Sequence, residues 1–428
     1  MLSTIFEVQR EDAMTHLRMT TLLTAALVLF GAVMPHPGSA QRPPIKIGFT
    51  TDLTGIAAQP AKDMVNGLQM YLDEIGGQMA GRKVELIVED SQARPDVALT
   101  KLRKLVEYDR VHIVAGVLFG HLGYALAPKV EEYKIPALFT VTAADDLTQR
   151  LKYRWVIRTG WTSSQPSHPF GEYAAKTLGY KKVAVIASDY AFGWEVVGGF
   201  QKTFEESGGQ IIQKLWVPLG AMDLAPYISK IRRDADAVFT MVAGASTLQF
   251  FKQYQDAGLK GRVPLIAGGP AVDESLLPAM GDEALGTVSP LIYSGALDTP
   301  ANRRFAQEYR KRFGKVPSYF AETNYTSGRW INEAVKAING NVEDREALLA
   351  ALRKVEIPDA PRGPVKLDVQ GNPIQNVYIR KIERNKDGEL QNTVIVTIPA
   401  VSQFWKYGPE EFLKQPVYSR DFPPCKAC

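Results

Sequence analysis

The stretch VAGVLFGHLGYALAP, Val114 to Pro128, holds the chain's most suggestive spacing: an apolar strand runs into Gly116, Gly120 and Gly123, then into a helical pattern. A glycine-bearing turn at a helix start presents backbone N–H groups and the positive end of the helix dipole, which suits an anion. The order G-x-x-x-G-x-x-G is not the dinucleotide pattern G-x-G-x-x-G, and no Gly-Lys-Ser/Thr follows, so a nucleotide phosphate is not the anion indicated. Two readings stand: the turn holds some other anion, or its glycines only let a helix pack on a sheet.

Other reactive residues offer less. Cys425 and Cys428 form a C-x-x-C without the strand-then-helix setting of a redox site or the two further ligands of a zinc site, so a small-loop disulfide or free thiols are expected. Beyond residue 40 the histidines are His112, His121 and His168, too few for a histidine-based metal centre. G-x-S-x-G, H-E-x-x-H and P-loop motifs are absent. We therefore assign no catalytic residue, metal or cofactor, and expect a protein that is not an enzyme.

The elements that must position the turn follow from periodicity. IKIGFT, VELIVED, VHIVAG, IPALFT and WVIRTG are short apolar strands separated by helical stretches, the first of them Ala61 to Ile75 and the second running from Pro95 to about Tyr108. The grammar restarts at Lys182 with VAVIAS, a helix Gly193 to Ser207, IIQKLWVP, a helix Leu224 to Arg233, AVFTMVAG, a helix Ser246 to Ala257, VPLIAGG and a short helix near Asp273. Such alternation predicts an α/β fold of two lobes, each a parallel sheet covered by helices. Helices Asn302 to Phe313, Tyr319 to Ile338 and Arg345 to Val355 follow, then β signals beyond Pro358 and a Pro- and aromatic-rich tail laid over the surface. Ligands of open α/β sheets bind beyond the strands' carboxyl ends, so the loops after VHIVAG, ALFTV, VAVIAS, TMVAG and PLIAGG are the candidate site.

The net charge of +4 is small for 428 residues, and no dense Lys/Arg run with interleaved aromatics marks nucleic-acid binding. Residues 1–40 read as a cleaved secretory signal: an apolar run from Leu22 to Met34, then small residues before a cut after Ala40, with Met14 or Met19 as alternative starts and no cysteine for a lipid anchor. The remaining length calls for more than one hydrophobic core.

In order, IKIGFTTDLTG, GVLFGHLGYALAP, FTVTAADDLTQ, VIRTGWTSSQ, SDYAFGWEVVGGFQKTFEESGG, DAVFTMVAGASTLQFFKQYQDAGL, SYFAETNYTSGRWINEAV and PRGPVKLDVQGNP resemble the periplasmic solute-binding proteins of the branched-chain amino acid (leucine/isoleucine/valine-binding) ABC transporter family, from about Ile45 to Ile398. The resemblance implies the type I periplasmic-binding fold, with residues 44–162 and 292–371 in one lobe, 163–291 and 372–428 in the other, and hinge strands near Ser163, Leu291 and Gly371. It implies a monomer that delivers a small carboxylate solute to permease subunits at the inner membrane, with no nucleic-acid partner; a sensory ectodomain of the same fold is the rival class. It also implies that the turn after the third strand, at Gly120, and the loop after the fourth, at Thr142 and Ala143, grip a ligand carboxylate. Gly120 stands where the family usually has a hydroxyl residue, and His121 is a candidate donor in its place. Where the family's amino acid binders carry an acid for the ligand ammonium, this chain has Gly269 and Pro270; Asp273 and Glu274 read as helix cap and first turn, and Glu322 is the candidate replacement. Phe119, Trp161, Tyr190, Phe192 and Phe320, with Ala243, would form the walls. A carboxylate grip, no amine partner and aromatic walls point to an aromatic or hydrophobic organic acid, with branched-chain amino acids as the alternative.

Overall fold

The computed structural model describes residues 42–428, of which Pro44–Cys428 form one compact unit. The signal-peptide reading, with its cut after Ala40, lies outside the described residues.

The chain opens with Ile45–Thr51 (β1), Ala58–Glu74 (α1), Gln78–Met79 (β2), Arg82–Asp90 (β3), Pro95–Arg103 (α2), Ile113–Gly116 (β4), Gly120–Tyr133 (α3), Ala137–Phe139 (β5) and Val156–Arg158 (β6). These strands make a sheet of order β2-β3-β1-β4-β5-β6, parallel except for the short β2. The near-continuous apolar strands seen in the sequence are buried on both faces, as a parallel sheet requires.

Ser167–Lys176 (α4), Lys182–Ser188 (β7), Ala191–Glu206 (α5), Gln210–Val217 (β8), Ala225–Ile228 (α6), Ala237–Met241 (β9), Ser246–Asp256 (α7), Leu265–Ala267 (β10) and Val288–Leu291 (β11) build the second sheet, again parallel with helices on its faces. The chain then returns to the first core through Pro300–Phe313 (α8), Tyr319–Ala337 (α9) and Arg345–Arg353 (α10), whose Phe305, Trp330 and Leu348 pack there. Side-chain caps set these starts: Thr299, Ser318 and Asp344 each accept a first-turn backbone N–H. Glu356–Ala360 (β12), Gly363–Leu367 (β13), Pro373–Arg384 (β14) and Leu390–Val401 (β15) extend the second sheet antiparallel, and Pro409–Leu413 (α11) lies in the tail. Two hydrophobic cores result, one under each sheet.

The helix expected over Leu224 to Arg233 ends at Ile228. The Gln213 amide of β8 donates to Lys230 O at 2.8 Å and accepts from Arg232 N–H at 3.0 Å, which diverts that backbone from helical pairing. The segment near Asp273 is two short 3-10 turns, Gly269–Val272 and Leu277–Ala279, in place of one helix. The tail crosses the surface, packs Phe404, Phe412 and Tyr418 into a small cluster, and ends in a disulfide between Cys425 and Cys428. No described helix is long and apolar enough to cross a membrane.

Candidate functional site

Loops from the carboxyl ends of both sheets meet around a cavity of about 210 Å³. The first sheet supplies the segments after β1, β4, β5 and β6; the second supplies those after β7, β8, β9 and β10. Tyr319 and Phe320 complete the wall from the first turn of α9.

Of the sequence-predicted residues, Phe119, Gly120, Ala143 and Trp161 line this cavity from the first sheet, and Tyr190, Phe192 and Ala243 line it from the second, with Phe320 beside them. Trp161 is edge-on to both Phe192, at 5.8 Å between centroids, and Tyr319, at 5.9 Å. Burial holds the Tyr190 and Tyr319 hydroxyls far above the usual phenol range, so both stay neutral donors.

The opening turn is built by close approach. Gly116 has φ of +107°, and a Cβ there would stand 2.3 Å from Thr50 O, so only glycine fits. The turn delivers Phe119 as the cap of α3, and no side chain caps that helix. Among the described residues the N–H groups of Gly120, His121 and Ala143 meet no protein acceptor. Behind them the fully buried Arg158 donates to Thr142 O at 2.7 Å, Ala144 O at 2.6 Å and Trp161 O at 2.9 Å. Burial lowers this guanidinium to about 10, which leaves it cationic at neutral pH. The result is an end of the cavity lined by backbone N–H dipoles, backed by Arg158, whose own charge is met by the buried Asp145 and Glu195.

Four sequence-predicted residues do not line the cavity. The His121 ring bonds Ala93 O through Nε2 at 3.0 Å and stacks on Phe119, so in this structure that nitrogen is engaged away from the cavity. Thr142 turns its hydroxyl inward to Phe119 O at 3.1 Å and ties the two grip loops together. A Cβ on Gly269 would lie 2.2 Å from Pro290 O, so no acid can stand at that position on this backbone. Glu322 is fully buried against the equally buried Arg362, Oε2 to Nη1 at 3.0 Å, and accepts the Thr326 hydroxyl at 2.6 Å. Its carboxylate is thus paired with Arg362 and stands off the cavity wall.

Asp273 and Glu274 are committed too. Asp273 accepts Ser275 N–H at 2.9 Å and Tyr319 N–H at 3.2 Å, and its carboxyl is raised by burial and then by the Glu274 charge. Glu274 accepts Gly295 N–H and lies 3.4 Å from Arg380. Among the described residues no charged side chain lines the cavity. Sequence reasoning missed Gln59, Leu118, Leu219, Ser275 and Tyr319 as lining residues, although Leu118 and Ser275 follow β4 and β10, whose loops the rule of strand carboxyl ends marks. Among the described residues no group of three or more His, Cys, Asp or Glu is placed to hold a metal.

Where the sheets join, Glu195 of α5 accepts the Ser163 hydroxyl at 2.6 Å, Asp145 N–H at 3.2 Å and the Tyr124 hydroxyl at 3.4 Å. Gln165 donates to both Pro373 O and Val401 O at 2.8 Å, so the segments passing between the sheets are laced to one another.

The fold recurs in known proteins. A family model described as periplasmic binding protein matches residues 44–389. The Leu/Ile/Val-binding protein homolog 6 of Brucella melitensis is 31% identical over 360 residues, 82% of this chain and 91% of that one. An ABC transporter substrate-binding protein from Sphaerobacter thermophilus is 36% identical with a TM-score of 0.80, covering 84% of this chain and 99% of its own. A solute-binding protein of an ABC transporter from Rhodopseudomonas palustris BisB5, solved in complex with 3,4-dihydroxybenzoic acid, is 34% identical with a TM-score of 0.79, covering 84% of this chain and 98% of its own.

Proposed function

The chain belongs to the periplasmic binding protein family and is an ABC transporter substrate-binding protein, and from that premise we propose that its solute is an aromatic or hydrophobic organic carboxylate held between the two lobes. The family binds small molecules and works with ABC permeases, and membership implies a periplasmic location. On our reading the mature protein starts near Gln41, acts as a monomer, performs no chemistry on its solute, and has lobes divided as the sequence suggests.

The observation that carries the proposal is the charge pattern of the cavity: the N–H groups of the lining residues Gly120 and Ala143 meet no acceptor among the described residues, and none of the described lining residues is a carboxylate. A carboxylate is met by the helix dipole and those donors. An α-ammonium buried there would lack a counter-charge, at several kcal/mol. An arene instead gains roughly 25 cal/mol for each Å² of apolar surface covered. The dihydroxybenzoate bound by the Rhodopseudomonas relative has this chemistry. The name of the Brucella relative favours the other reading, a branched-chain amino acid. Calorimetry of the mature protein with benzoate, cinnamate and leucine separates them: an aryl acid should bind with roughly micromolar Kd, about 8 kcal/mol, and leucine far more weakly. Leucine binding as tightly as any aryl acid would refute the proposal, and turnover of the bound solute would refute a pure binding role.

A further inference from the structure

The tail from Ser402 to Cys428 lies beyond residues 44–389, the span that the family model matches, and it is tied to segments of both sheets. Against the second sheet, its Tyr407 hydroxyl donates to Glu206 of α5, and Lys406 pairs with Glu172 of α4 at 3.3 Å. Lys214 of β8 and Gln201 of α5 donate to Pro423 O at 2.5 Å and Pro424 O at 3.0 Å, and Cys425 and Ala427 pack on the core of that sheet. Against the first sheet, Arg150, in the segment after β5, donates to Gln415 O at 2.7 Å. The fully buried Gln403 accepts the Thr148 hydroxyl of that same segment at 3.1 Å and donates to Asp368, in the turn between β13 and β14, at 2.8 Å.

Helix α5 is shaped to receive this tail. Gly198 and Gly199 stand in its middle, where glycine costs stability. A Cβ on Gly198 would lie 2.5 Å from the Tyr418 ring, and one on Gly199 would lie 2.8 Å from Ser164, in the segment that passes between the sheets. Two neighbouring glycines thus let the tail and the crossing segment press on one helix. The Tyr418 hydroxyl also meets His168 Nε2 at 3.0 Å, with both residues buried. None of residues 402–428 lines the cavity, although Arg420 pairs at 3.4 Å with Asp189, directly before the lining residue Tyr190. A tail that only covered the second sheet would need no tie to Thr148 or Arg150.

We propose that residues 402–428 are a strap that holds the two sheets in the arrangement that encloses the solute. It acts from outside the cavity. With the ties to Thr148 and Arg150 made, the segment after β5 is fastened to α4 and α5; with them cut, the open arrangement gains population, and apparent affinity falls in proportion to the closed fraction lost. This rests on the reading that the solute is held between two lobes, and it is independent of which solute that is.

The test compares the mature wild type with two full-length variants that loosen opposite ends of the strap: Arg150→Met combined with Gln403→Ala on the first-sheet side, and Tyr418→Ala on α5. Melting curves confirm folding, and should one variant not fold, the other decides. Small-angle scattering without ligand should give both variants a larger radius of gyration than the wild type, and saturation with the probe should return them to the saturated wild-type radius. Calorimetry with 3,4-dihydroxybenzoate and with leucine should show Kd raised about tenfold for whichever probe the wild type binds. Wild-type radius and affinity in the variants overturn the strap. So does weaker binding at an unchanged radius, since the tail would then act on the site loop through Arg420 and Asp189, and so does a larger radius with unchanged affinity. If neither probe binds the wild type, the reading of the solute fails, while the ligand-free radius still decides the strap.

Discussion

Glu322→Gln separates a structural carboxylate from a ligand-binding one. Both Glu322 and Arg362 are fully buried, and among the described residues the Arg362 guanidinium has two acceptors: Glu322 Oε2 at 3.0 Å and Thr159 O at 2.5 Å. The pair joins α9 to the β12–β13 hairpin and to the segment after β6. The amide keeps the volume and an acceptor for Thr326, but it leaves a buried cation without its counter-charge. Removing one partner of such a pair costs about 3–5 kcal/mol, and because the isostere keeps some hydrogen bonding we expect the lower end, about 3 kcal/mol. Melting should fall by several degrees, read by near-UV circular dichroism or calorimetric scanning. Affinity for the bound aryl acid, measured on the folded fraction well below the transition, should stay within about threefold. The double variant Glu322→Gln with Arg362→Met removes both charges and should recover part of the lost stability, a coupling of order 1 kcal/mol or more. A Glu322→Gln protein with wild-type melting that no longer binds an amine-bearing solute would refute the reasoning, since the carboxylate would then have to face the ligand.

Gly269→Asp, which installs an acid where the amino acid binders carry one, should destabilise the protein by several kcal/mol because its Cβ overlaps Pro290 O at 2.2 Å; wild-type melting together with new leucine affinity would contradict this. Phe192→Ala removes a ring packed on Trp161 and Tyr190 and should weaken aryl-acid binding about tenfold or more, read by calorimetry. His168 is pushed down to about 3, first by burial and then by the Lys202 charge, so between that value and the unfolded value near 6.5 the unfolded chain holds the extra proton. Its contribution to stability is full above about pH 6.5 and declines as pH falls towards 3, a loss of roughly 2 kcal/mol by pH 5, and urea unfolding at pH 7.5 and 5.0 should show a smaller pH difference in His168→Gln than in the wild type. Saturating aryl acid should reduce the radius of gyration in small-angle scattering as the lobes close, and an unchanged radius would argue against hinge closure.

Local pattern carried the architecture. Apolar strands such as IKIGFT and VHIVAG, separated by amphipathic helices, are dictated by the need of a parallel sheet to bury both faces, and that order alone placed the loops after β4, β5, β7 and β9 at one end of the molecule. It also marked Phe119, Trp161, Tyr190 and Phe192, aromatic residues in loops where core packing explains them poorly, and all four line the cavity. Tertiary structure alone decided which polar groups remained free. Glu322 is cancelled by Arg362 forty positions away, and the His121 ring is taken by a carbonyl twenty-eight positions back. Gly269 is closed to any side chain by Pro290, while Asp273 spends both oxygens on Ser275 and Tyr319. Spacing along the chain fixes the face on which a residue stands. Whether its charge or proton is still available depends on partners brought within 3 Å by folding, and burial makes that pairing obligatory for nearly every polar group it encloses.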